Sequence, residues 1–141
     1  MLKFLARAAI SSVLIYGGQA SVRAPGGRGV AVQKLSGKAG INLDDKEAAT
    51  VVKLNGAIMV GAGTTFALGI LPRLSAVALI GSLIPTTIGG HAFWEQEDPA
   101  ARSAHQIHFL KNVGLVGGLL MFLSQGKGAK AAKPAKVAKL R

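Results

Sequence analysis

The sequence predicts an all-α protein: a transmembrane four-helix bundle with both termini cytoplasmic, ending in a disordered Lys-rich tail. Three observations predict it. First, the 141-residue chain is 50% apolar and only 16% charged, with a mean hydropathy of +0.40. A soluble domain this small needs more polar surface. Second, the apolar residues gather in four blocks of ~17–24 residues, the length that crosses a ~30 Å hydrocarbon core at ~1.5 Å per residue. Third, helix-starting and helix-stopping residues fall between the blocks. The same composition excludes a disordered chain and a multidomain enzyme. With no cysteine, the chain has no disulfide, no CxxC redox pair, no Cys-ligated zinc and no protein-ligated iron–sulfur cluster.

The first helix is expected over about residues 4–20. Arg7 lies inside it, and a long basic side chain near a span end can snorkel to the interface. Lys3, the apolar stretch and Gly18-Gln19-Ala20 loosely fit a signal peptide, but Arg7 breaks the stretch early, so an uncleaved helix is expected. Residues 21–43 then read as a long loop. Ala24-Pro25-Gly26-Gly27-Arg28-Gly29 is turn chemistry. Val30-Ala31-Val32 and Lys34-Leu35 can lie on the bilayer surface or against a partner. A functional loop and a plain connector are both open readings.

The second helix is expected over 45–71, opened by the capping-box spacing of Asp44 and Glu47 and closed by Pro72. The Pro72-Arg73 corner leaves almost no loop, so the second and third helices must be antiparallel neighbours. The third is expected over 74–94. Residues 57–71 and 74–90 hold no charge at all. Pro85 removes the hydrogen bond to the Gly81 carbonyl, and a kink is expected there. Asp98 and Pro99 form a cap and a first-turn proline, opening the fourth helix over 99–124. Lys111 sits near the start of that helix's apolar stretch. The four helices make one domain, 1–125, and the tail is 126–141.

The formal net charge is +11, and six of the bases lie in the last fifteen residues: Lys127, Lys130, Lys133, Lys136, Lys139 and Arg141. The basic signal is largely this tail. Lysines three residues apart form no stable helical stripe, and Pro134 breaks any helix. The tail reads as a polycation for anionic headgroups, each lysine contributing ~1 kcal/mol beside an anionic leaflet; nucleic acid is not the expected partner. With both ends inside, Lys3, Arg7, Arg73 and the tail face the cytoplasm, while Arg23, Arg28, Lys34, Lys38, Lys46 and Arg102 lie outside with all six acids. A bacterial plasma membrane is the expected location.

In lipid, helices associate through small residues at i, i+4. The sequence offers three such ladders: Ala57, Gly61, Thr65 and Gly69 on the second helix, Ala78, Ser82, Thr86 and Gly90 on the third, and Gly114 with Gly118 on the fourth. Packing within one chain and packing between chains, including a homo-oligomer, both fit them.

The polar chemistry is concentrated between Gly89 and Asn112. All three histidines, His91, His105 and His108, lie there with the only tryptophan, Trp94. His105, His108 and Asn112 share one helical face at i, i+3, i+7. His91 ends the third helix at the same membrane depth, so the set can converge. Phe93 and Trp94 occupy an interfacial position.

The stretch GGHAFW…DPAARSAHQIHFLKNVGLVGGLL resembles the C-terminal half of the DoxX family of small membrane proteins. LARAAISSVLIYGG and GILPRLSAVAL resemble it too. The longer, more basic first loop and the Lys-rich tail depart from its pattern. The resemblance implies a four-helix integral membrane protein with N-in/C-in topology. It also implies association with membrane oxidoreductase systems, which in this family include a thiosulfate:quinone oxidoreductase subunit and an assembly with superoxide dismutase and a sulfurtransferase. Many members have no assigned activity, so the likeness speaks to fold more than to function.

The cluster has three readings. His91, His105, His108, Lys111 and Asn112 could hydrogen-bond a quinone carbonyl beside a Trp94 wall, with a histidine carrying its proton. His91, His105, His108 and Glu95 could bind metal, or two of the histidines haem. Or the polar groups satisfy one another and fix the hairpin, with Asn55 a candidate partner for Lys111. No nucleophile–base pair, phosphate loop or carboxylate pair is visible, and Glu95, Glu97 and Asp98 read as facing water or a basic partner. The expected role is an accessory or scaffold subunit of a larger membrane oxidoreductase or respiratory complex, not catalytic alone. The alternative is a quinone-binding redox subunit.

Overall fold

The computed structural model describes residues 1–125. The tail cations Lys127, Lys130, Lys133, Lys136, Lys139 and Arg141 lie outside the described residues. The chain forms α1 (Leu2–Arg23), α2 (Gly26–Lys38), α3 (Asp45–Leu68), α4 (Pro72–Gly90), a 3-10 turn (Phe93–Glu95) and α5 (Pro99–Ser124). Among the described residues there is no strand.

Three segments are long and apolar enough to cross a membrane: α3, α4 continued through Glu95, and α5. That makes a multi-pass membrane protein. The sequence reading expected four spans. α1 has the length, at 22 residues, but is not among the three; Arg7 and Gln19 dilute its apolar character.

The expected loop over residues 21–43 is largely helix. α1 continues to Arg23, and after Pro25, which itself holds α-helical angles, α2 runs for 13 residues. Of the glycines that read as turns, Gly26 and Gly27 are exposed on the helix, and Gly29 serves packing. Gly29 is buried, and a methyl group there would stand 3.8 Å from the Ala48 side chain. Leu35 and the Ala31 carbonyl lie against Gly89 of α4. Gln33 donates to the Leu43 carbonyl and to Asp45. α2 is thus laid over one end of α3 and α4, and Gly40, at φ 78°, turns the chain out of it.

α3 opens on a capping box: the Asp44 carboxylate accepts from the Glu47 amide, and the Glu47 carboxylate from the Asp44 amide. It closes earlier than residue 71. Gly69 takes the left-handed conformation at φ 76°, and the Ile70 amide reaches back to the Thr65 carbonyl at 2.8 Å. Leu71 is left-handed too, at φ 45°, and Pro72 then starts α4. The Ser75 hydroxyl lies within hydrogen-bond distance of the Ile70 and Leu71 carbonyls and of the Thr65 hydroxyl. α4 runs on through Pro85.

α1 packs on α3, α3 on α4 and α4 on α5, and α5 returns to meet α1 at Gly118 and Ile10. Leu14, Met59, Phe66, Ala76, Leu79, Leu83 and Leu119 form the buried centre, with Phe122 edge-on to Phe66 at 5.0 Å. α1 and α3 touch backbone to backbone. A methyl group on Gly18 would stand 2.6 Å from the Gly56 carbonyl oxygen, and one on Gly56 would stand 2.6 Å from that of Gly18. Gly63 is likewise filled, by Ile15.

The expected ladders do not carry this contact. The buried stripe of α3 is Ala48, Val52, Gly56, Met59, Gly63 and Phe66, which mixes small and large residues. Ala57 and Gly61 are exposed, and a methyl group on Gly61 would meet nothing. Thr65 bonds Ser75, and Gly69 is the cap beside Arg7. On α4, Ser82 is buried, Ala78, Thr86 and Gly90 are half-buried, and Thr86 accepts from Asn55. On α5, Gly114 faces open space, whereas Gly118 meets Ile10.

Candidate functional site

The polar cluster is built where α4 ends and α5 begins. His91 is the C-cap of α4, its amide donating to the Thr87 carbonyl. The chain passes through the 3-10 turn and restarts at Asp98, whose carboxylate accepts from the Ala101 amide at 2.7 Å. Pro99 fills the first helical position. α5 then presents its i, i+3, i+7 face to α4.

The three histidines converge. His91 and His108 stack with ring centroids 5.0 Å apart and planes 21° from parallel, and His105 lies 5.7 Å from His91. Lys111 Nζ is 3.4 Å from His108 Nδ1. Asn112 is buried and donates to the Thr87 hydroxyl, which donates in turn to the Leu83 carbonyl. Nδ1 of His91 and Nδ1 of His105 are both buried without a hydrogen-bond partner. Asn55 is not the partner of Lys111: it donates to Thr86 at 3.0 Å, tying α3 to α4.

Trp94 belongs to an aromatic group rather than to the imidazoles. It packs edge-on to Phe93 and Phe109, and Phe93 packs on Phe109 at 5.4 Å. These rings close the hairpin on its outer side, and Trp94 remains half exposed. Among the described residues, no group of three or more His, Asp or Glu side chains is placed to hold a metal ion.

Glu95 lies outside the imidazole group. Its carboxylate pairs with Lys34 at 2.6 Å and Lys38 at 2.9 Å, both on α2. The basic partner of this carboxylate is therefore inside the chain. Sequence reasoning did not find it, although two lysines at i, i+4 were the available signal. Arg102 donates twice to the Gln96 carbonyl and holds the turn from below. Chemically, the site is a set of hydrogen-bonding and stacking groups that clamps α4 to α5 and seats α2 on the hairpin.

A second feature, at the opposite end of the bundle, was also not read from the sequence. Lys3, Arg7 and Arg73 line one cavity between α1 and α5.

Compared with known proteins, the chain matches one family model, DoxX, over residues 2–92. That range takes in α1 to α4 and His91, while His105, His108, Lys111 and Asn112 lie beyond it. No curated protein and no solved structure matches the chain.

Proposed function

The chain belongs to the DoxX family, and from that premise we propose that it is an accessory or scaffold subunit of a larger membrane oxidoreductase complex in a bacterial plasma membrane. Proteins of this family are often associated with oxidoreductase systems. The observation that carries the reading is a pair of small-residue faces turned away from the bundle. Gly61 and Gly114 have nothing within 4 Å of where a methyl group would stand. Ala57, Val60 and Gly61 line a shallow groove of about 410 Å³ on the outer side of α1 and α3. In lipid such faces let a second helix approach closely. The chain does not use them for itself, so a neighbouring subunit is their natural occupant.

In this reading the end of the bundle where α1 and α4 begin and α5 finishes, which carries Lys3, Arg7 and Arg73, faces the cytoplasm. All six acids fall at the α2 end. The basic tail then lies against the anionic inner leaflet.

The quinone alternative is not favoured. Two of its residues are engaged elsewhere: Asn112 donates to Thr87, and Trp94 packs on Phe93 and Phe109. The cluster ties the end of α4 to the start of α5, while the groove lies on α1 and α3.

The test is mild detergent extraction from native membranes, followed by a native gel and mass spectrometry. Oxidoreductase subunits are expected at fixed stoichiometry. Gly61→Leu is expected to strip them away, and His91→Ala to leave the assembly intact. A chain that travels alone, or only with copies of itself, overturns the accessory role. Loss of turnover in a fully assembled His91→Ala or Lys111→Ala complex would revive the quinone reading.

A further inference from the structure

Between the start of α1 and the last turns of α5 lies a cavity of about 730 Å³, at the end of the bundle away from the histidines. Its volume is that of a small-molecule site, ~300–1,000 Å³. Ile10, Phe66 and Phe122 give it apolar walls. Gly118 belongs to the lining, and a methyl group there would stand 3.5 Å from Ile10, so α1 and α5 meet beside it.

The charge in this cavity is one-sided. Lys3, Arg7 and Arg73 line it, and no acidic residue does. All six acids of the chain lie at the other end. Arg73 spends two of its donors on the Leu123 and Gln125 carbonyls at the end of α5. Arg7 has no such outlet. Its guanidinium sits against the Gly69 backbone, and its Nε is buried without a hydrogen-bond partner. A guanidinium at the edge of the hydrocarbon with no carboxylate in reach calls for an external anion, and phosphate fits its planar fork with two parallel hydrogen bonds.

We propose that this cavity binds one anionic glycerophospholipid, its phosphate on Arg7 with Lys3 and Arg73 alongside, and one acyl chain against Ile10, Phe66 and Phe122. Charge complementarity selects the occupant: a zwitterionic lipid brings its own cation into a site that already holds three. The apolar wall selects against a free inorganic anion.

The experiment uses the full chain purified in a mild maltoside detergent. Dioleoyl phosphatidylglycerol, dioleoyl phosphatidylcholine or oleate is added, and retained lipid is counted by native mass spectrometry. One phosphatidylglycerol per chain is expected, favoured at least tenfold over phosphatidylcholine and over oleate. Arg7→Gln is expected to cut its retention at least tenfold. Gly118→Leu keeps every charge and narrows the apolar slot, and is expected to do the same; it decides the matter if Arg7→Gln does not fold. Arg102→Gln, at the far end, is expected to change nothing. Equal retention of the two phospholipids, preference for oleate, or indifference to Gly118→Leu overturns the proposal.

Discussion

A single methyl group separates tolerated from damaging change on α3. At Gly56 it would be driven to 2.6 Å from the Gly18 carbonyl and 2.9 Å from the Ser21 side chain, and backbone cannot step aside. Gly56→Ala is therefore expected to cost about 1–3 kcal/mol, the usual range for overpacking. Gly61→Ala, in open space, is expected to be neutral or to stabilise through helix propensity. Thermal unfolding of the two variants in the same detergent makes the comparison. The two glycines lie only five residues apart, and the sequence singled out Gly61 rather than Gly56, the one that meets α1 within the chain. The rule sought runs made only of small residues, but the buried stripe puts Gly56 and Gly63 between Val52, Met59 and Phe66. A close contact needs a small residue only where the partner backbone arrives, and a sequence alone does not say where that is. The histidine, lysine and asparagine cluster was legible because period 3.6 alone brings residues 105, 108 and 112 to one face. The partner chosen for Lys111 was not, because Asn55 and Thr86 meet across two different helices.

At the level of elements, α2 shows tertiary contact overriding local propensity. Gly26, Gly27, Gly29 and Gly37 are poor helix formers, so the segment reads as turns. It is helical because α3 and α4 offer it a surface, with Gly29 against Ala48 and Gly89 of α4 against Ala31 and Leu35. Its tether to Glu95 is two exposed ion pairs, each of little value in water. Glu95→Gln is accordingly expected to raise amide hydrogen exchange in residues 26–38 by no more than ~5-fold at low salt. The difference should vanish near ~1 M salt, where the screening length is ~3 Å. A larger or salt-independent effect would mean that Glu95 holds the helix by something other than charge. The boundaries of α3 and α5 were legible because Asp44, Glu47, Asp98 and Pro99 act locally, through their own backbone neighbours.

For the whole molecule, charge sorts the two ends. One carries Lys3, Arg7 and Arg73 without an acid, and the other carries every acid and the α2 lysines. The chain has no cysteine, so single introduced thiols report topology without background. Glu97→Cys is expected to react with a membrane-impermeant maleimide on intact cells. Gln125→Cys is expected to react only after permeabilisation. The reverse pattern would invert the orientation proposed above. The span count was less legible than the fold class, because length alone does not separate α1 from its neighbours; Arg7 and Gln19 do. The corner between α3 and α4 has a bearing on how such a chain enters a bilayer. Gly69, Leu71 and Ser75 complete its hydrogen bonding from within a few residues, without help from any other helix. Once the ribosome has released residue 90, α3 and α4 can leave the insertion channel together as one finished hairpin. The joins that remain, α1 to α3 at Gly18 and Gly56 and α5 to α4 at Asn112 and Thr87, are then made between helices rather than within one corner.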